Sequence, residues 1–200
     1  MKKFIIILCL LFCSNVVFAL DYSNYNVEDI NSVRKATKDF QKEYKNKKES
    51  LEAEANFNDF LDFHNKFEIV QSRKIYLPYE LKKNSITLQL KEYSKKYYKY
   101  GLVAQFDEGE YFLVKSNRYI YENFANYLPQ PLQLCLEYEN SDERIISDGR
   151  YIISKEEICE KIVKYKNFIQ KYPEYADKYN IYEKIEILEE NLRHYPAIIY

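Results

Sequence analysis

Apolar residues recur at helical spacing through the first part of the chain beyond residue 27. One stripe is formed by Ile30, Val33, Phe40, Tyr44, Leu51 and Ala55, with charged residues elsewhere. No apolar residue occurs in KNKK (45–48), so the pattern allows one long helix with a solvated turn or two helices with a break. The dense phenylalanines of residues 57–67 predict that a helix continues there against the core.

The middle of the chain carries weaker signals. Residues 68–80 are partly β-branched and predict an irregular or short extended connection. Ser85 is predicted to cap a helix that runs to Tyr100, with Gly101 as its stop signal. The alternating apolar residues at 86–90 leave the start of a strand as the alternative.

Residues 101–115 give the clearest β pattern. Two apolar runs flank a short turn that ends at Gly109, which predicts a β-hairpin. Further helices are predicted over 118–128 and 131–140, and a tight turn or small hairpin over 144–154.

The C-terminal part predicts two helices joined at a proline. The first covers 155–171, where Ser154 and Glu157 have the spacing of a capping box. The second covers about 175–194, beyond Pro173. Facing stripes predict that they pack as an antiparallel pair, with Ile158, Ile162 and Ile169 against Tyr182, Ile185 and Leu188. The apolar residues 197–200 must either dock or lie exposed.

These elements together predict a mainly α fold with a small β-hairpin, arranged as a multi-helix single domain with a C-terminal antiparallel helix pair. A chain of this length can bury about 70% of its unfolded surface in one core.

The first residues have the layout of a secretory signal peptide. Lys2 and Lys3 precede an unbroken apolar run at 4–12, and Val17 and Ala19 stand at the −3 and −1 positions of a cleavage site. We therefore predict that residues 1–19 are a signal peptide cleaved after Ala19. Residues 20–200 would form the single mainly helical domain.

Two alternatives compete with cleavage. An uncleaved anchor over 4–20 would be interrupted by Ser14 and Asn15. A lipid on Cys13 would need a small preceding residue, and Phe12 stands there. Cleavage predicts a periplasmic or secreted protein with no stable membrane insertion after processing.

Composition narrows the classes of partner. Without residues 1–19, 28 Lys and Arg remain against 31 Asp and Glu, a net charge of −3, which argues against a nucleic-acid binder. The preference for Lys, Asn, Ile, Glu and Tyr fits an AT-rich bacterial genome. Codon bias and core packing explain the 22 tyrosines. At KKYYKY (95–100) the helical spacing predicts that Tyr93, Tyr97 and Tyr100 face the core while the lysines reach water, the alternative being a docking strip.

Two cysteines remain after cleavage, Cys135 and Cys159. A lone pair in an exported chain predicts one disulfide. Closing its loop would stabilise the fold by about 3.5 kcal/mol. The alternative is a pair of buried thiols.

The sequence contains few side chains or motifs that are typical of catalytic or metal sites. Asp59 and Asp62 share a helical face in the predicted helix, whereas His64 points away, so a solvated face explains the three better than a metal site. His194 lies in a last helical turn, where it suits the helix dipole. Three glycines allow no phosphate cradle, and no serine has the flanking glycines of a nucleophile elbow. No catalytic residue, cofactor or metal ligand is predicted.

The sequence therefore favours an exported, non-enzymatic helical protein that binds a protein or an envelope component. The alternative is a cell-envelope hydrolase that acts on glycan or peptide through carboxylates whose pairing the sequence does not reveal. A shallow surface with an apolar patch would favour binding, and an enclosed pocket with two acids would favour hydrolysis.

Overall fold

A computed structural model describes residues 20–77, 86–107, 109–140, 146–147, 150–151 and 153–195. The helices of this part are α1 (Ser32–Tyr44), α2 (Leu51–Lys74), α3 (Ile86–Tyr97), α4 (Asn117–Phe124), α5 (Gln130–Tyr138), α6 (Lys155–Lys171), α7 (Pro173–Ala176) and α8 (Ile181–His194). Strands β1 (Leu102–Asp107) and β2 (Glu110–Lys115) form one antiparallel pair, and β3 (Ile146–Ser147) and β4 (Arg150–Tyr151) form another. The predicted mainly helical fold with a small hairpin is confirmed.

The first helical pattern is broken into two helices, as one of the two alternatives predicted. The Ser50 hydroxyl caps α2 by accepting a hydrogen bond from the Ala53 N–H at 3.0 Å. Glu49 adopts a left-handed φ of 61°. Its N–H donates to the Tyr127 carbonyl at 2.9 Å, which ties the break to a later part of the chain.

Helix α2 is longer than predicted and is turned differently about its axis. It runs to Lys74, so the irregular connection predicted over 68–80 is wrong for its first half. Leu51 is 77% exposed and Ala55 is exposed as well. The inward face is set by the phenylalanines, since Phe57, Phe60, Phe63 and Phe67 are all buried.

The segment before α1 is polar in composition and is nevertheless packed against α2. The buried Tyr22 donates its hydroxyl hydrogen bond to Asn56 Oδ1 at 3.0 Å. Asn56 Nδ2 donates to the Leu20 carbonyl at 3.0 Å, and Gln71 Nε2 donates to the Val27 carbonyl at 2.8 Å. Two buried amides of α2 therefore hold this segment against the helix, and α1 begins only at Ser32.

The β1–β2 hairpin forms as predicted. Leu102 pairs with Lys115, and Gly101 and Gly109 take left-handed φ values of 73° and 85°. The hairpin lies between α3, which contacts β1, and α2, which contacts β2. The Lys115 N–H donates to Glu68 Oε2 at 3.0 Å, which fastens β2 to α2.

Aromatic rings fill the centre of the core. Phe124 of α4 lies 4.9 Å from Phe40, 5.3 Å from Phe57 and 4.3 Å from Phe60, measured between ring centroids. Such pairs contribute about 0.5–1.5 kcal/mol each beyond the area that they bury. One continuous core extends from Tyr22 to Leu188, so the described residues form a single domain.

The C-terminal helix pair is confirmed. Helix α6 has the predicted bounds, and both halves of its capping box form, with Ser154 N–H to Glu157 Oε2 at 2.6 Å and Glu157 N–H to Ser154 Oγ at 3.2 Å. Helices α6 and α8 pack together through buried Ile158, Ile185 and Leu188.

The second helix of the pair begins later than predicted. Pro173 starts the short helix α7, and Asn180 then takes a left-handed φ of 53°, so α8 starts at Ile181. Asparagine tolerates this conformation better than most residues. Ile181 and Leu188 set the inward face of α8, which leaves Tyr182 about 100° away and 53% exposed, not buried as predicted.

Candidate functional site

The outer face of the C-terminal pair carries a groove of about 440 Å³, which we call the α6–α8 groove. It lies between these two helices. Its lining residues are Cys159, Ile162, Val163, Lys166, Glu189, Leu192 and Arg193.

The groove combines an apolar floor with a charged rim. Ile162 is buried and Leu192 half-buried, whereas Val163 is 56% exposed. Lys166 Nζ lies 2.7 Å from Glu189 Oε1, and this ion pair crosses from one helix to the other. The hydrogen bond from Lys166, together with its charge, holds the pKa of Glu189 below its ordinary value.

Tyr182 is a second exposed apolar side chain, further along α8 and outside the groove lining. It stands seven residues before Glu189, which places both on one face two turns apart. The exposed Val163 and the floor of Ile162 and Leu192 form a small apolar area with charged edges. A surface of this kind suits a docking partner better than a reacting substrate.

The two cysteines are free in the structure, so the predicted disulfide is not formed. Cys135 is buried on α5, and burial raises the pKa of its thiol to about 12. Cys159 is exposed. The inward face of α6 is set by Ile158, Ile162 and Tyr165, and one residue beyond Ile158 turns Cys159 outward into the groove.

The structure separates the three residues of the predicted Asp59, Asp62 and His64 group. The two aspartates share one face, as predicted, and line an open groove of about 530 Å³ with Asp21 and Lys66. His64 points away from them, but it is fully buried and not solvated as predicted. No group of three or more His, Cys, Asp or Glu side chains in the described part of the chain is arranged to hold a metal ion.

His64 is buried because it continues the phenylalanine face of α2. It stands four residues after Phe60 and three before Phe67, with ring centroids 5.8 Å from each. Among the described residues, neither ring nitrogen has a hydrogen-bond partner. Burial, and to a lesser extent the charge of Lys115, lower the pKa of His64 to about 3.

Glu54 is a buried carboxylate that the sequence pattern did not reveal. It is 2% exposed, and its Oε1 atom is 2.6 Å from Lys178 Nζ and also accepts a hydrogen bond from the Tyr179 hydroxyl. These partners lie in the turn between α7 and α8, more than a hundred residues away. The contact joins α2 to the C-terminal pair. Only the position of Glu54 between Ala53 and Phe57 could have signalled its inward direction.

The KKYYKY segment packs as predicted. Tyr97 is buried, Tyr100 is half-buried against the core, and Lys95, Lys96 and Lys99 are exposed. The docking-strip alternative for this segment is not supported.

The signal-peptide residues Val17 and Ala19 lie outside the described residues. The first described residue, Leu20, is held to α2 through its carbonyl, as given above. Among the helices that are described, none has the length and apolar character needed to span a membrane.

Comparison with known proteins adds no relative. No family model matches the chain, and no curated protein or solved structure is significantly similar to it. The chemistry of the surfaces described above is therefore the basis for a functional assignment.

Proposed function

We propose that this protein is an exported, non-enzymatic helical protein that binds a protein of the cell envelope through the α6–α8 groove. The observation that carries the proposal is the exposure of Val163 in a groove on a helix pair that is packed elsewhere through the buried Ile158 and Leu188. Exposed apolar side chains beside a groove are typical of interaction sites.

The groove has the parts that a docking site needs. Burying an exposed valine side chain contributes about 1.5–3 kcal/mol, so Val163 would be an anchor of the contact. Lys166, Glu189 and Arg193 supply both signs of charge at the rim, where charges orient a partner more than they hold it. The partner element that fits is a helix with apolar residues three or four positions apart.

Export supports an envelope partner. The sequence places a basic start, an apolar run and the Val17–Ala19 pattern before Leu20. Sequencing the N-terminus of the exported protein should give Leu20 as the first residue. A chain that retains Met1, or one lipidated at Cys13, would contradict this part of the proposal.

A cell-envelope hydrolase takes second place. A glycosidase acid needs a raised pKa. The described carboxyl groups with a clear shift all have a lowered pKa, each through hydrogen bonds that favour its charged form: Asp21, Glu122, Glu157 and Glu189. These four side chains are therefore poor candidates for that role.

A pull-down with matched variants tests the binding proposal. Tagged protein comprising residues 20–200 would be incubated with envelope extract, alongside Val163→Glu and the control Ile69→Glu. Ile69 is 50% exposed on α2, far along the chain from the groove, so both variants place one charge on one exposed apolar site. Both should keep the parental melting temperature.

The expected result is one envelope protein that the parent and Ile69→Glu enrich equally. Val163→Glu should lose at least about tenfold of that enrichment, the equivalent of about 1.4 kcal/mol. A partner retained by Val163→Glu, or lost by both variants, would overturn the assignment of the groove.

A further inference from the structure

We propose that the α-ammonium group of Leu20, once cleavage exposes it, binds the carboxylates of Asp59 and Asp62 and so locks the start of the processed chain onto α2. The inference rests on the proposed function in one respect, the cleavage after Ala19. It goes beyond that function because it assigns an occupant to the open groove of about 530 Å³ on α2, which we call the Asp59–Asp62 groove.

Cleavage changes the charge at Leu20. Hydrolysis of the Ala19–Leu20 peptide bond adds one water molecule and leaves a carboxylate on Ala19 and an amine on Leu20. An α-amino group has an ordinary pKa of about 7.7–8.0, so this amine carries a proton and a positive charge at pH 7. In the uncleaved chain the same nitrogen belongs to a neutral amide. The positive charge therefore exists only in the processed protein.

A buried amide of α2 fixes the position of Leu20. Asn56 is 1% exposed, and its Nδ2 atom donates to the Leu20 carbonyl at 3.0 Å while its Oδ1 atom accepts from the Tyr22 hydroxyl at 3.0 Å. The α-nitrogen belongs to the same residue as that carbonyl, so it is held beside the same part of α2. Leu20 accordingly lines the Asp59–Asp62 groove.

The groove offers two carboxylates that lack a cation. Asp59 follows Asn56 by three residues and Asp62 follows Asp59 by three, so each step advances about 4.5 Å along α2 and reaches a neighbouring position on its surface. Within the described part of the chain, neither aspartate has a hydrogen bond or an ion pair. An ammonium group held at Leu20 supplies the missing cation without ordering a separate ligand.

The other polar groups of the lining leave the groove negative. Hydrogen bonds from Ser23, one of them from its N–H at 2.9 Å, lower the pKa of Asp21 and keep that carboxylate charged. Tyr22 and Tyr25 stay neutral, because burial raises the pKa of both hydroxyls. The three aspartates against Lys66 give the described lining a formal charge of −2, which the new ammonium reduces to −1.

The pKa of the Leu20 ammonium tests the contact. Protein of residues 20–200 would be released from a removable fusion with Leu20 as its first residue, so the test needs no signal peptidase. The pH dependence of N-terminal acylation, with the modified site identified by mass spectrometry, gives the pKa. It should lie at least about half a unit above that of an unstructured peptide of residues 20–26, which contains Asp21 but neither Asp59 nor Asp62.

Charge-matched variants assign the shift to the groove. Asp59→Asn and Asp62→Asn should each lower the pKa of the ammonium toward the peptide value. Glu190→Gln removes one exposed carboxylate from α8, outside the groove, and should leave that pKa at the parental value. As a second measurement, acetylation of the Leu20 amine should lower the parental melting temperature by about 1–3 °C, and by less in Asp59→Asn.

A parental pKa equal to that of the peptide would overturn the inference. So would a raised pKa that Asp59→Asn and Asp62→Asn leave unchanged, or that Glu190→Gln lowers as much as they do. None of these results bears on the site of cleavage, which sequencing of the exported protein measures, or on the pull-down with Val163→Glu, which tests the α6–α8 groove. Failure of the inference and failure of the proposed function are therefore distinguishable.

Discussion

The Nε2 atom of His64 lies so close to Gly101 that a Cβ atom at position 101 would be 2.6 Å from it. Gly101 also has a φ of 73°, in the left-handed region. Glycine is therefore required there twice, once for the backbone turn from α3 into β1 and once for the space above the imidazole. The contact packs the buried imidazole of His64, on α2, against the turn that leads into the hairpin.

Replacing Gly101 with alanine should destabilise the protein more than the same change at the other left-handed glycine. The φ value alone costs about 1–2 kcal/mol at either site. At Gly109 an added Cβ meets no atom within 4 Å, whereas at Gly101 it meets His64 and Tyr119. Overpacking of that kind costs a further 1–3 kcal/mol or so. Urea unfolding of Gly101→Ala and Gly109→Ala would measure the difference, and equal losses would contradict the close contact.

Stability should fall as the pH drops from about 6.5 to 5 because of His64. The unfolded imidazole binds a proton near pH 6.5 and the folded one only near pH 3, so the unfolded state holds more protons in this window. The expected loss at pH 5 is about 2 kcal/mol, or roughly 4–8 °C in melting temperature. Carboxyl groups with a lowered pKa, such as Asp21 and Glu122, also lose their contribution to stability in acid. They do so only as the pH falls through and below the ordinary carboxyl pKa near 4.

His64→Leu should remove most of this loss of stability between pH 6.5 and 5, whatever its effect at neutral pH. His194→Gln is the matched control, because His194 is exposed at the end of α8. Its replacement should leave the loss of stability between pH 6.5 and 5 unchanged. If His64→Leu loses as much stability as the parent between pH 6.5 and 5, His64 is not the source of the loss.

The Glu54–Lys178 pair should respond asymmetrically to the loss of either partner. Lys178 has a side chain that is 47% exposed, while that of Glu54 is 2% exposed. Lys178→Met leaves a buried carboxylate without its cation, at a cost of roughly 3 kcal/mol or more. Glu54→Gln leaves a lysine that water can solvate and should cost about 1–2 kcal/mol. Chemical denaturation of both variants would show the order, and a larger loss for Glu54→Gln would contradict it.

Replacing the buried Leu188 should destabilise the C-terminal pair. It is 4% exposed, and its replacement with alanine should cost about 2–5 kcal/mol. Glu190 is exposed two residues later, so Glu190→Ala should melt within a degree or two of the parent. A Leu188→Ala variant that melts like the parent would show that α8 is not packed on α6 as described.

The thiol count distinguishes the structure from the disulfide that the sequence suggested. The denatured, unreduced protein of residues 20–200 should titrate two thiols, and the native protein should react rapidly at Cys159 alone. A denatured protein with no titratable thiol would contradict the structure and restore the disulfide.

Local signals predicted the elements that depend on local chemistry. The Ser154–Glu157 box fixed the start of α6, and Gly101 and Gly109 fixed the hairpin, because caps and turns are decided by a few neighbouring residues. The polar residues 45–48 allowed either one long helix or two helices with a break. The contact between Glu49 and Tyr127, which the sequence pattern does not show, goes with the break.

The direction in which each helix faces was harder to predict. The inward side of α2 includes Glu54 and Asn56, whose partners Lys178 and Tyr22 lie far away in sequence. A buried face predicted from the apolar residues alone therefore included Leu51, which is exposed.

The groove was missed for a related reason. Ile162 and Val163 are adjacent, so one of them had to lie off the buried stripe of α6. That adjacency was the one signal in the sequence for an exposed apolar position there.

Site-specific photocrosslinking in living cells tests the central claim most directly. The full chain, carrying a photoreactive amino acid at position 163 in one strain and at position 69 in another, would be expressed, irradiated and fractionated. The account predicts a discrete covalent adduct with one envelope protein from position 163 and none from position 69. No adduct at position 163, or the same adduct from both positions, would contradict it.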